Sequence, residues 1–213
     1  MPLMTEWIRQ VHAAVKMGDA DRELVLRVPA RLASCRTAGL DVETWIREGL
    51  VDVLVGDTFA TPEIINSNLD ISELVEAAGG HPCRVHAAVH ALVDSDRLGQ
   101  ATIEMVRAAA CNVWDQGVDG LYLAHWFGMW PYTASFYEIL RELPYPQVMD
   151  AKNKIYAVPT MTERQPAPGT EPGEKADLPT DLEIDQPVRV EFTLSDDLPR
   201  WDSVGRIDAV LLR

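Results

Sequence analysis

The sequence predicts an α/β fold built on a parallel sheet, and three observations carry that expectation. Short Val- and Leu-rich runs alternate with amphipathic stretches, glycines close those stretches, and 47% of the 213 residues are apolar, enough for a sizeable core. Trp7, Ile8, Val11 and Val15 recur at helical spacing, which puts Trp7 on a core stripe, and Gly18 can end that helix. Residues 24–28 read as the first strand, stopped by Pro29. A helical stretch from Leu32 runs up to Gly39, and Asp41 caps a further turn carrying Val42, Trp45 and Ile46 that Gly49 closes.

Residues 51–55 form the second strand, and Asp70 with Glu73 fits a capping box for a helix ending at Gly79. Residues 84–91 form the third strand. Residues 98–116 make the longest helix, with Ile103, Val106, Ala110 and Val113 on one stripe, Trp114 in the core and Gly117 as the stop. Residues 120–125 form the fourth strand, and Ser135 with Glu138 opens a last short helix. Segments 48–55 and 116–123 echo each other, each a helix end turning through glycine into a buried strand. Asp52 and Asp119 fall in those turns, at the end of the sheet opposite the functional one.

The domain reading follows from composition. Residues 1–156 form the α/β unit, and 157–180, with Pro159, Pro166, Pro168, Pro172 and Pro179, read as a linker. Residues 181–213 hold an alternating run, 188–194, and a second run, 206–212, expected as strands of a small, incomplete β module.

Nineteen Lys and Arg against 33 Asp and Glu give a net charge of −14. So acidic a surface repels phosphate backbones and anionic lipid, so neither nucleic acid nor membrane is expected as a partner. The first residues carry no secretory signal, which makes a cytoplasmic location the default if Met1 is the true start. Cys35, Cys83 and Cys111 are widely spaced and odd in number, as expected of buried thiols rather than a disulfide framework. No glycine-rich dinucleotide or phosphate-binding motif and no Gly-x-Ser-x-Gly elbow occurs, so no cofactor is expected.

Four parallel βα units are half of an eight-stranded barrel, and an open sheet of that size leaves an apolar edge. A missing half, a second copy of the chain, or a flavodoxin-like sheet would each resolve this. Residues 27–29 (Arg-Val-Pro), 38–52 and 114–123 resemble the C-terminal half of bacterial glycosyl-hydrolase-like (family-10-like) barrel proteins, over roughly residues 1 to 156. The resemblance implies a partial (β/α)8 TIM-type barrel, about four C-terminal βα units, followed by a short β-rich segment. It implies a carbohydrate ligand, and a chain inactive alone because the barrel's first half, with the family's Asp-Gly-x-x-x-Asp type segment, has no counterpart here.

In such a barrel, function gathers at the carboxyl ends of the strands, where this sequence places Arg27, Asp57, His90, His125 and Trp126. Arg27 interrupts an apolar strand, so it either grips a ligand or pairs with an acid from the next strand. Asp57, after Val55 and a Gly56 that permits close approach, could accept a sugar hydroxyl, serve as acid or base, or cap loop amides. His86 and His90 are four residues apart on one strand, about 13 Å at 3.3 Å per residue, too far to share one metal ion. Asp94 and Asp96 are within reach of the mouth but suit helix capping.

Trp126 and Trp130, in an aromatic run from His125 to Tyr132, offer flat faces for sugar stacking or an apolar lid. The candidate ligand-binding set is therefore Arg27, Asp57, His90, His125, Trp126 and Trp130, with no assignable pair of catalytic carboxylates and no metal. A non-catalytic carbohydrate-binding or structural module whose aromatic rim meets a glycan or a partner is the first alternative; the partners expected besides carbohydrate are a second copy of the chain or the missing barrel half. A metal-dependent barrel hydrolase using His90, His125 and Asp57 is the second.

Overall fold

The computed structural model describes residues 2–58, 64–93, 99–124, 126, 134–158, 187–189, 191–207 and 209–211. Four strands, β1 (Val25–Pro29), β2 (Val53–Asp57), β3 (Arg84–His90) and, after a small ribbon, β6 (Gly120–Ala124), form one sheet in chain order, every neighbouring pair parallel. The ribbon pairs β4 (Leu92–Val93) with β5 (Gly99–Gln100), antiparallel. The expected long helix is accordingly shorter: Thr102 caps it and it spans Ile103–Asp115 (α5). Helix α1 (Pro2–Gly18) precedes the sheet; α2 (Leu32–Thr37), α3 (Val42–Arg47) and α4 (Ser72–Ala78) fill the earlier crossovers, and α6 (Ala134–Glu142) and α7 (Pro146–Met149) follow β6.

Alternation along the strands separates two faces. Val28, Leu54, Val85 and Ala87 join Cys35, Trp45, Ile46 and Leu74 in the main helix-side core, and Val89 joins Val106, Ala110 and Ile139 in a second. Val53, Val55, Ala88 and Ala124 form a separate buried cluster on the opposite face. Gly56 belongs to the helix side, where an added Cβ would stand 2.5 Å from Ile71 Cδ1. The close approach expected there is made by the lead-in to α4, not by a ligand.

The sequence echo has a structural counterpart. The carboxylate of Asp52 accepts from the Leu24 amide at 2.7 Å, and that of Asp119 accepts from the Val85 amide at 2.8 Å. Each pins the strand about to begin to its predecessor. Gly39, Gly49 and Gly117 hold positive φ, as their helix-stopping places require. Asp41 caps α3 through the Thr44 amide.

Several expectations are corrected. Trp7 is exposed, because Thr5 and Ile8 turn inward and Thr5 Oγ1 accepts the buried Trp45 indole N–H at 3.0 Å. Asp70 and Glu73 form no reciprocal box: Asp70 accepts from Ser72 and pairs with Arg31, while Glu73 accepts the Leu32 amide. They tie α4 to the turn after β1. Strand β2 starts two residues later than expected and reaches Asp57, which is thus a strand residue facing Pro29 rather than a loop residue. Among the described residues of 187–211 there is no strand. Thr193 and Ser195 give their backbone hydrogen bonds to asparagine side chains, and a helix, α8 (Leu198–Ser203), follows.

Candidate functional site

Arg27, Asp57 and His90 share the face opposite the helices by strand parity. Arg27 is level with Val55, so Asp57 lies two residues further toward the carboxyl end. His90 lies three beyond Ala87, which is level with Gly56, so it stands two residues above Asp57. The three side chains climb diagonally across β1, β2 and β3, and they touch. Arg27 Nε donates to Asp57 Oδ2 at 2.6 Å, and His90 Nε2 lies 2.9 Å from Asp57 Oδ1.

Asp57 and His90 are buried at 1% and 4% exposure, whereas the Arg27 side chain keeps 25%. Burial pushes the Asp57 carboxyl upward, but His90 and Arg27 outweigh it and hold it below its ordinary value. An ionised carboxylate only accepts hydrogen bonds, so the proton of this contact sits on His90 Nε2. The Thr58 amide adds a further donor to Oδ1 at 2.6 Å. With both oxygens engaged, Asp57 is an orienting anion, and Arg27 is the member of the chain that meets solvent.

Of the two sequence readings of Arg27, the structure shows the pair with an acid from the next strand, and the side chain still reaches the surface. Among the described strand residues Asp57 is the one carboxylate on this face. Lower on the face, the His86 ring covers Gly120, where an added Cβ would stand 2.7 Å from Nε2. Burial, assisted by Arg84, lowers the His86 pKa, which keeps this ring neutral. Tyr122 is level with Ala88 on the same face and 43% exposed. It lies within its strand rather than at the strand's end, so strand parity is the one sequence signal that places it beside this site.

Trp126 is not part of the chain of contacts. It is buried in the core with Val106 and Ile139, and its indole N–H donates to the Val89 carbonyl at 2.9 Å. His125, Trp130, Asp94 and Asp96 lie outside the described residues. Among the described residues no three His, Cys, Asp or Glu side chains converge as metal ligands. The three cysteines are buried and free.

A second polar cluster was also missed. Asn112 in α5, 1% exposed, donates to the carbonyls of Ser67 and Thr193 and accepts from the Ser195 amide. Its signal was a polar residue within the apolar run from Ala108 to Val113. No protein-family model and no curated protein matches the chain.

Proposed function

We propose that this chain supplies the C-terminal half of a (β/α)8 carbohydrate-active domain and holds part of a polyhydroxylated ligand at the carboxyl ends of its strands. Sequential strand order with all crossover helices on one face is what right-handed βα units produce on the way round a barrel. On the other face Arg27 and Tyr122 are the residues that reach solvent beside the Asp57 carboxylate. The observation that carries the reading is the Arg27–Asp57–His90 chain, a buried anion one of whose partners, Arg27, keeps 25% of its side chain exposed and carries a guanidinium of the kind that recognises sugar hydroxyls. Tyr122 contributes an exposed ring for stacking against the ligand.

Among the described strand residues Asp57 is the one carboxylate on this face and both its oxygens are engaged, which supports a binding role for it, since glycosidases use two carboxyls flanking the bond. The acid and base belong to the remaining strands of the barrel, whether supplied by further chain or by a second copy. The test is calorimetric titration of neutral oligosaccharides into the wild type and Arg27→Lys, which keeps the charge and loses the fork. The reading expects binding that weakens at least tenfold in Arg27→Lys. Equal affinity in the two proteins would refute it.

A further inference from the structure

Residues 191–196 run along α5 with their backbone read by side chains rather than by a neighbouring strand. Asn112 Nδ2 donates to the Thr193 carbonyl at 2.7 Å while its Oδ1 accepts the Ser195 amide at 2.8 Å. A single amide thus bonds residues i and i+2 of an extended chain, as the backbone of a partner strand would. Asn68 Oδ1 takes the Thr193 amide at 3.1 Å. Then the chain presents Asp196, whose carboxylate receives Lys154 Nζ at 2.6 Å and the Tyr156 hydroxyl at 2.9 Å.

The receiving groups are built in. The Lys154 side chain is 2% exposed and also donates to the Asp150 carbonyl, and Ser67 fixes residue 157 beside it through two backbone contacts. Burial, and the neighbouring Asp196 charge, push the Tyr156 hydroxyl upward, so it remains a donor. By contrast residues 191–194 are exposed, Leu194 included. Recognition therefore rests on main chain plus one carboxylate, three positions after the first bonded residue, and tolerates change at the side chains between.

We propose that Asn68, Asn112, Lys154 and Tyr156 form a binding site for an extended peptide carrying an aspartate, occupied in this chain by its own residues 193–196. Residues 157 and 193 are both held around Ser67 and Asn112. The occupant is thus a tethered ligand. Because the occupant belongs to the same chain, its binding is intramolecular and outcompetes free peptide until the aspartate contact is lost.

The test adds a fluorescently labelled peptide of residues 191–206 to the full chain. The Asp196→Ala chain, whose own segment is weakened, should bind it at least tenfold more tightly than the wild type does, and the Asp196→Ala form of the peptide should bind neither. Ser195→Pro, which deletes the amide that Asn112 accepts, serves as the second variant should Asp196→Ala not fold. In both variants the amide of Thr193 should exchange with deuterium at least tenfold faster than in the wild type. Equal binding by wild-type and variant chains, or unchanged exchange at Thr193, overturns the proposal.

Discussion

His90 on β3 and Arg27 on β1 each hold one oxygen of the same buried carboxylate on the strand between them. Asp57 thereby binds the carboxyl ends of three strands into one unit. Its removal has a definite consequence. Asp57→Asn turns one of the two acceptor oxygens into a donor that faces the Arg27 or the His90 donor and removes the charge, and breaking a buried ion pair in this way costs about 3–5 kcal/mol. Urea unfolding of the two proteins measures the difference, and a loss below about 1 kcal/mol would mean that the contact contributes little.

The same carboxylate sets an acid limit. The folded Asp57 carboxyl lies below its unfolded value of about 3.9, so the unfolded chain binds more protons and the stabilisation is fully present above that value. It is lost as pH falls through the folded pKa. Asp52, Asp70 and Glu142 are shifted in the same direction and steepen the loss. The stability gap between wild type and Asp57→Asn should therefore narrow below about pH 4; a gap that widens on acidification contradicts the assignment.

Tyr122 and Trp126 separate ligand binding from packing. Tyr122→Ala removes an exposed ring and should weaken oligosaccharide binding several-fold with a stability change within about 0.5 kcal/mol. Trp126→Ala removes a buried ring and should cost about 3–5 kcal/mol. Thermal melts and binding isotherms on both variants distinguish these outcomes from a shared role at the rim.

The thiols should be silent in the native protein. Burial pushes Cys35 up to about 12 and both Cys83 and Cys111 up to about 11. At pH 8 an aromatic disulfide reagent should titrate none of the three quickly, and all three once denaturant is added. Rapid native reaction at any of them would place that thiol outside the core.

Glycine 56 offers a check on the sheet–helix contact. Gly56→Ala drives a methyl to 2.5 Å from Ile71 Cδ1 and 3.0 Å from Leu74 Cδ1, and overpacking of this kind costs about 1–3 kcal/mol. A neutral result in chemical denaturation would mean that α4 sits further from β2.

How far the sequence could be read differs from element to element. The four strands were legible because Val- and Leu-rich runs bounded by Gly39, Gly49 and Gly117 leave few alternatives, and Arg27, Asp57 and His90 stood out as polar groups among them. That they touch was not legible, since the contact depends on a two-residue stagger at each strand, a property of register between segments some 30 residues apart. The run 188–194 alternates like a strand, but alternation describes an extended chain, not its partner; here the partner is Asn112. Trp126 was conspicuous by composition, but composition does not tell a rim ring from a core one, and its ring lies in the second core cluster.

The central claim, that this face receives a carbohydrate, is tested most directly by nuclear magnetic resonance of the imidazole and guanidinium signals during titration with neutral oligosaccharides. The account predicts that the Arg27 Nε–H and His90 ring resonances move together, saturably, while those of His81 and Arg84 stay in place. Saturating shifts confined to other parts of the chain, or no shift at Arg27 at millimolar sugar, would contradict it.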